Sequence, residues 1–148
     1  MTGIHPTAII HAGAEIGEGV EIGPFAIVGP GCTIGAGCVI APRAIIERNV
    51  RLGARVHIGT GSIIGGDPQD LKYRGEEPTV EIGDDTVVRE YSTVNRGTKQ
   101  SLRTTVGRRC FLMSYVHLAH DCHVGDSVIL ANSVQLAGHV TIDDNAIV

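Results

Sequence analysis

Aliphatic residues recur every six positions along this chain. From Ile4 the series runs through Ile10, Ile16, Ile22, Val28, Ile34, Ile40, Ile46, Leu52, Ile58 and Ile64. It lapses at Asp70 and Glu76, resumes with Ile82, Val88 and Val94, lapses at Gln100, and continues in frame from Val106 to Val148. Of 25 such slots 22 are aliphatic, too many for a chance alignment. Glycine often follows the slot, as at Gly17, Gly23, Gly29 and Gly35, and a small or β-branched residue stands four places after it, as at Ala26, Cys38, Ala44 and Val50. A period of six suits neither a helix at 3.6 nor an alternating strand. It is the hexapeptide signature of a parallel β-helix, one short strand and one turn per repeat. Three repeats close a triangular coil of about 18 residues, with the aliphatic side chain inside and glycine relieving the bend. The predicted fold class is therefore all-β: a hexapeptide-repeat solenoid of roughly seven triangular coils, about 30 Å tall at the usual strand spacing. The period itself does not set the hand, and the general crossover rule would make it right-handed.

Composition agrees with a narrow core. Aromatic residues make up 3% of the chain, with no tryptophan, while Gly reaches 20 residues. Ile, Val, Leu and Ala must fill the interior. All four cysteines, Cys32, Cys38, Cys110 and Cys122, fall in the fourth place after a slot and are expected as small buried thiols. A formal charge of −4 and an acidic pI near 5.9 exclude a general nucleic-acid footprint. The N-terminus lacks the pattern of a signal peptide, and no stretch approaches the roughly 18 apolar residues of a membrane span. A cytoplasmic location is the expectation.

Function on a solenoid usually sits where the chain leaves the repeat. One interruption reads "GGDPQDLKYRGEEPT" (65–79) and the other "NRGTKQSLRT" (95–104). The chain is thus expected to be one β-helical domain over 1–148, with loop excursions near 66–79 and 96–104. The first packs Gln69, Asp70, Lys72, Tyr73 and Arg74 together, groups able to grip a phosphate or a sugar hydroxyl.

The segment "LMSYVHLAHDCHVG" (112–125) adds three histidines and an aspartate within seven residues. His120 and Gly138 are one coil apart, so they are expected to stack, leaving open space and a bare backbone amide beside the imidazole. His117, Asp121 and His139 would border the same corner. Histidine suits proton transfer near neutral pH, a backbone N–H can stabilise an oxyanion, and a carboxylate can orient the imidazole. Three imidazoles would also satisfy an open zinc site.

The motifs "PQDLKYRGE", "NRGT", "HLAHDCHVG" and "LAGHV", in this order within a hexapeptide solenoid, make the whole chain similar to the β-helical part of the UDP-N-acetylglucosamine acyltransferase family. The resemblance implies a left-handed β-helix. It implies transfer of a 3-hydroxyacyl chain from acyl carrier protein to the 3-hydroxyl of UDP-N-acetylglucosamine, the first step of lipid A biosynthesis. It further implies that His120 is the general base, Asp121 its partner and Gly138 the oxyanion donor. Gln69, Asp70, Lys72, His117 and His139 would contact the donor or the sugar nucleotide. No metal and no organic cofactor is implied, and a homotrimer with sites between subunits is. His123 matches no functional position of the family.

Other readings stay open at this point. Gamma-class carbonic anhydrases are left-handed β-helices with zinc, but H-x2-H-x2-H is not the H-x4-H they resemble. A non-catalytic scaffold would keep the repeat without the groove, and the related enzyme that N-acylates the glucosamine later in the pathway is the nearest competitor among acyltransferases, disfavoured by the first loop. Arg43, Arg48, Arg51, Arg55, Arg108 and Arg109 could offer basic surface to an acidic carrier protein or be solvated turn residues. The chain stops in mid-repeat at "TIDDNAIV". The family's further coils and helical C-terminal domain are therefore expected to be absent, and the uncapped last coil is expected to invite end-to-end pairing or leave the chain an inactive fragment.

Overall fold

A computed structural model describes residues 3–75 and 77–148. Among them twenty short strands, most of two residues, form three parallel sheets that wind as a left-handed β-helix. The first sheet stacks Ile9–Ile10, Ile27–Val28, Ile45–Ile46, Ile63–Gly66, Thr93–Asn95, His117–Leu118 and Gln135–Leu136. The second stacks Glu15–Ile16, Thr33–Ile34, Val50–Leu52, Thr79–Ile82, Arg103–Val106, His123–Val124 and Thr141–Ile142. The third stacks Glu21–Ile22, Val39–Ile40, His57–Ile58, Val87–Val88, Phe111–Leu112 and Ile129–Leu130. The hexad slot is the inward residue of each strand, and its predecessor faces out.

Two side chains per hexad fill the prism. Ile22, Ile34, Ile40, Ile46, Ile58, Ile64, Leu112 and Leu118 are buried from the slots, and Ala26, Ala44, Val56, Val116 and all four cysteines from four places later. The thiols are free; burial pushes each of them up in pKa, and Cys38 Sγ donates to Gly53 O at 3.0 Å. They act as small apolar fillers, as the register predicts. Between slot and filler the chain turns through a left-handed residue, with φ from 52° at Asn49 to 72° at Gly19 and Gly37. Non-glycine residues occupy most of these corners at a cost of about 1–2 kcal/mol each. Glycine at the slot's successor has a different cause: at Gly35 a Cβ would stand 2.3 Å from Gly53 O in the next coil.

Both excursions leave the prism at one edge, between the first and second sheets. Ile64 pairs with Val94 and Val94 with Leu118, separations of 30 and 24 residues against 18 in the unbroken coils. The excursions therefore add two hexads and one hexad, which is why the aliphatic count resumes in frame. Glu76, one of the lapsed slots, lies outside the described residues.

The outward faces differ in chemistry. The first sheet exposes Ile9, Ile27, Ile45 and Ile63 in register, and the third Val39, Val87, Phe111 and Ile129. The second shows Glu15, Thr33, Arg51, Glu81, Thr105, His123 and Thr141.

Candidate active site

Four successive coils meet at the edge that carries the excursions. In order they contribute residues 65–79, residues 95–104, the turn Ala119–Cys122 and the turn Ala137–Val140. His120 stands two places after the inward Leu118, and the next coil sets Gly138 directly over its ring. A Cβ at Gly138 would lie 2.5 Å from His120 Cε1 and 2.6 Å from Nε2, so the imidazole occupies space that only glycine leaves. The 18-residue stacking predicts this contact. His139 follows in the same turn; its ring meets that of His120 edge-on at 4.9 Å, and its Nε2 is 3.8 Å from Asp121 Oδ2.

Asp121 is the most constrained group of the site. It holds a left-handed corner (φ 60°), a position where Phe25, Tyr91 and Tyr115 are exposed, yet its side chain is 1% accessible. The second excursion folds over it. Oδ1 accepts the Thr98 N–H at 2.9 Å and the Ser101 hydroxyl at 2.6 Å, while Oδ2 accepts the Thr98 hydroxyl at 2.6 Å and His120 Nδ1–H at 2.9 Å. Burial alone would raise this carboxyl's pKa, but the donors from Ser101, Thr98 and His120 together outweigh it and hold the acid far below the usual carboxylate range. An ionised carboxylate can only accept. A neutral His120 ring therefore carries its proton on Nδ1 and leaves the Nε2 lone pair free to accept one.

Nε2 faces the first excursion, where Asp70 Oδ2 lies 3.9 Å away. Asp70 Oδ1 caps the Lys72 N–H at 2.9 Å, and its carbonyl accepts the Tyr73 N–H, so the loop turns tightly at this point. A cleft of about 130 Å³ opens beside the histidines, lined by Asp70, Lys72, Tyr73, Thr98, Lys99, Gln100 and His139. A nucleophilic hydroxyl held at His120 Nε2 would sit between a base, a carboxylate and a cationic wall.

Not every expected residue joins this cluster. His117 faces out from its strand with Nδ1 2.6 Å from Thr93 Oγ1, and burial lowers its pKa. His123 faces out from the neighbouring sheet with Nδ1 2.9 Å from Thr105 Oγ1. The three histidines of H-x2-H-x2-H thus point from two faces and the edge between them, and they cannot converge on one ion. Gln69 is exposed and borders no part of the cleft. His120, Asp121 and His139 do bring ligand atoms within 4.8 Å of one another. However, each Asp121 oxygen already accepts two hydrogen bonds, so the set fits an oriented imidazole better than a metal. Sequence reasoning missed Thr98 and Ser101. They lie 23 and 20 residues from Asp121, and nothing in an 18-residue period pairs them with it.

Comparison with known proteins agrees with the architecture. The bacterial transferase hexapeptide (six repeats) model matches residues 13–48 and 103–138. The acyl-[acyl-carrier-protein]–UDP-N-acetylglucosamine O-acyltransferase of Gloeothece citriformis is 59% identical over 98% of this chain and 52% of its own length. The corresponding protein of Burkholderia ambifaria is 52% identical over 100% of this chain and 57% of its own. The crystal structure of a UDP-N-acetylglucosamine acyltransferase from Bacteroides fragilis superposes with a TM-score of 0.95 at 47% identity, covering 97% of this chain and 56% of that one. The chain spans about half the length of the curated relatives it matches.

Proposed function

The chain is a homologue of the acyl-[acyl-carrier-protein]–UDP-N-acetylglucosamine O-acyltransferases over the hexapeptide-repeat part it spans, and from that premise we propose that it acylates the 3-hydroxyl of UDP-N-acetylglucosamine with a 3-hydroxyacyl group from acyl carrier protein. The observation that carries this reading is the His120–Asp121 pair, with Nε2 turned toward Asp70, which lines the neighbouring cleft, and Gly138 bare above the ring. His120 Nε2 takes the proton of the sugar hydroxyl as its oxygen attacks the thioester carbonyl. Asp121 stabilises the imidazolium without being protonated, because its four donors hold it ionised. The tetrahedral oxyanion is stabilised by the N–H of Gly138. On collapse the C–S bond breaks, the new C–O ester remains, and the imidazolium returns its proton to the departing thiolate. In this reading Asp70, Lys72 and His139 bind the sugar nucleotide around the cleft, and His117 and Gln69, which lie outside it, contact the parts of the donor or acceptor that extend beyond it. No step calls for a metal or an organic cofactor.

The active form in this proposal is a homotrimer. The first and third sheets turn Ile9, Ile27, Ile45, Ile63, Val39, Val87, Phe111 and Ile129 outward, and the second sheet is polar. Apolar stripes on two faces, interrupted by Thr93, His117 and Gln135 on the first sheet and by Glu21 and His57 on the third, suit a closed threefold assembly. The reaction is placed in the cytoplasm, where four unpaired thiols stay reduced. Among the described residues, no helix is long and apolar enough to cross a membrane.

The test is mass spectrometry of the acylated sugar nucleotide after incubation with UDP-N-acetylglucosamine and 3-hydroxyacyl carrier protein. Wild type is expected to form product, and His120→Ala to fall by about 10³-fold or more. Absence of product from the wild-type chain overturns the reading.

A further inference from the structure

Arg96 is the largest fully buried side chain among the described residues, in a prism filled mainly with aliphatics and small hydroxyl or thiol side chains. It follows the first-sheet strand Thr93–Asn95, and its N–H donates to Gly66 O at 2.9 Å. The guanidinium reaches back under the first excursion. Nη1 donates to Gly65 O at 2.5 Å; Nη2 donates to Asp67 Oδ1 and, at 3.1 Å, to the Tyr73 hydroxyl. Its acceptors lie where the excursion leaves the prism, just beyond that point, and past Lys72. Pro68, Gln69, Asp70, Leu71 and Lys72 span the arc between them.

We propose that Arg96 is a positioning residue that pins this arc from beneath, and so sets Asp70 and Lys72 against the His120 corner. The inference rests on the reading of that corner as the acyltransfer site. Chemistry favours it over a merely structural role. A buried cation is costly, and a well-packed apolar residue is often as stable in its place. The planar fork reaches the carbonyl from Nη1 and the carboxylate and phenol from Nη2; a lysine ammonium offers one nitrogen with no fixed plane in place of these two. Asp67 keeps 70% of its side chain accessible, so this ion pair spans the boundary between core and loop. Between the anchored positions, the Asp70 cap on Lys72 N–H carries the constraint to Asp70 Oδ2, 3.9 Å from His120 Nε2.

Two readouts test this: hydrogen exchange of the amides of residues 67–75, and the split between kcat and KM. In Arg96→Met, loop exchange is expected to rise at least about tenfold while the strands keep their protection. KM for the sugar nucleotide is expected to rise about tenfold, more than kcat falls, and Arg96→Lys is expected not to rescue it. The double variant Asp67→Asn/Tyr73→Phe leaves Arg96 in place and is expected to loosen the same amides, which covers an Arg96→Met chain that fails to fold. Unchanged loop exchange in the double variant, or unchanged KM in a folded Arg96→Met chain, overturns the proposal. A wild-type chain without activity would defeat the acyltransferase reading but leave the exchange arm to decide the tether.

Discussion

A single missing methyl group shapes the candidate site. Gly138 has a backbone conformation open to any L-residue, since its φ lies outside the left-handed region, so backbone strain does not demand glycine there. The demand comes from the His120 ring, which sits where a Cβ would be. Gly138→Ala is therefore expected to keep the melting temperature within a few degrees. It should cost about 10²-fold in kcat by swinging the imidazole off its hydrogen bond to Asp121. Loss of stability in place of activity would show that the glycine serves packing. Asp121 makes the complementary point. Three donors from the second excursion and the His120 ring keep it charged, so in the proposed mechanism it orients and stabilises while the proton moves through His120.

At the scale of elements, the excursions behave as additions to a scaffold whose register they respect. The first inserts two hexads between paired strands, and the chain re-enters with Val80 and Ile82 beside Val50 and Leu52. Removing residues 67–78, which joins Gly66 to Thr79, should restore an unbroken 18-residue coil. Because the deletion strips the buried Arg96 of Asp67 and Tyr73, it is paired with Arg96→Met; the shortened chain is then expected to keep its β-sheet circular dichroism and melt within about 5 °C of wild type, since a surface loop of this length costs little to close or delete. Acyltransfer should fall by at least about 10²-fold, because Asp70 and Lys72 leave with the loop. A chain that no longer folds would show that the excursion also holds the prism together.

At the scale of the molecule, three faces of one prism carry different surfaces. Apolar side chains form a stripe on the first sheet from Ile9 to Ile63, beyond which Thr93, His117 and Gln135 follow, and on the third sheet Val39, Val87, Phe111 and Ile129 alternate with Glu21 and His57; threonine, charged residues and His123 line the second. Ile45→Glu places a charge in the first of these stripes. It is expected to reduce the mass measured by light scattering from three chains to one, whereas Thr33→Glu on the polar sheet should leave it unchanged. A single-chain mass for the unaltered protein would remove the trimer from the proposal.

The hexad period by itself determined the β-helix, the inward residues, the shared place of the four cysteines and the stacking of Gly138 on His120. It could do so because coil stacking is a translation by 18 residues, visible as recurrence along the chain. The motifs also drew attention to the residues of both loops. Tertiary structure alone decided which of them meet. His117 and His123 diverge onto separate faces, Asp121 is sealed by Thr98 and Ser101, and Arg96 ties down the loop that brings Asp70 to His120. Those contacts join residues 20, 23 and 29 positions apart, separations that belong to no repeat. They are fixed by how two irregular loops close over one edge, where burial and hydrogen bonding, and not periodicity, choose the partners.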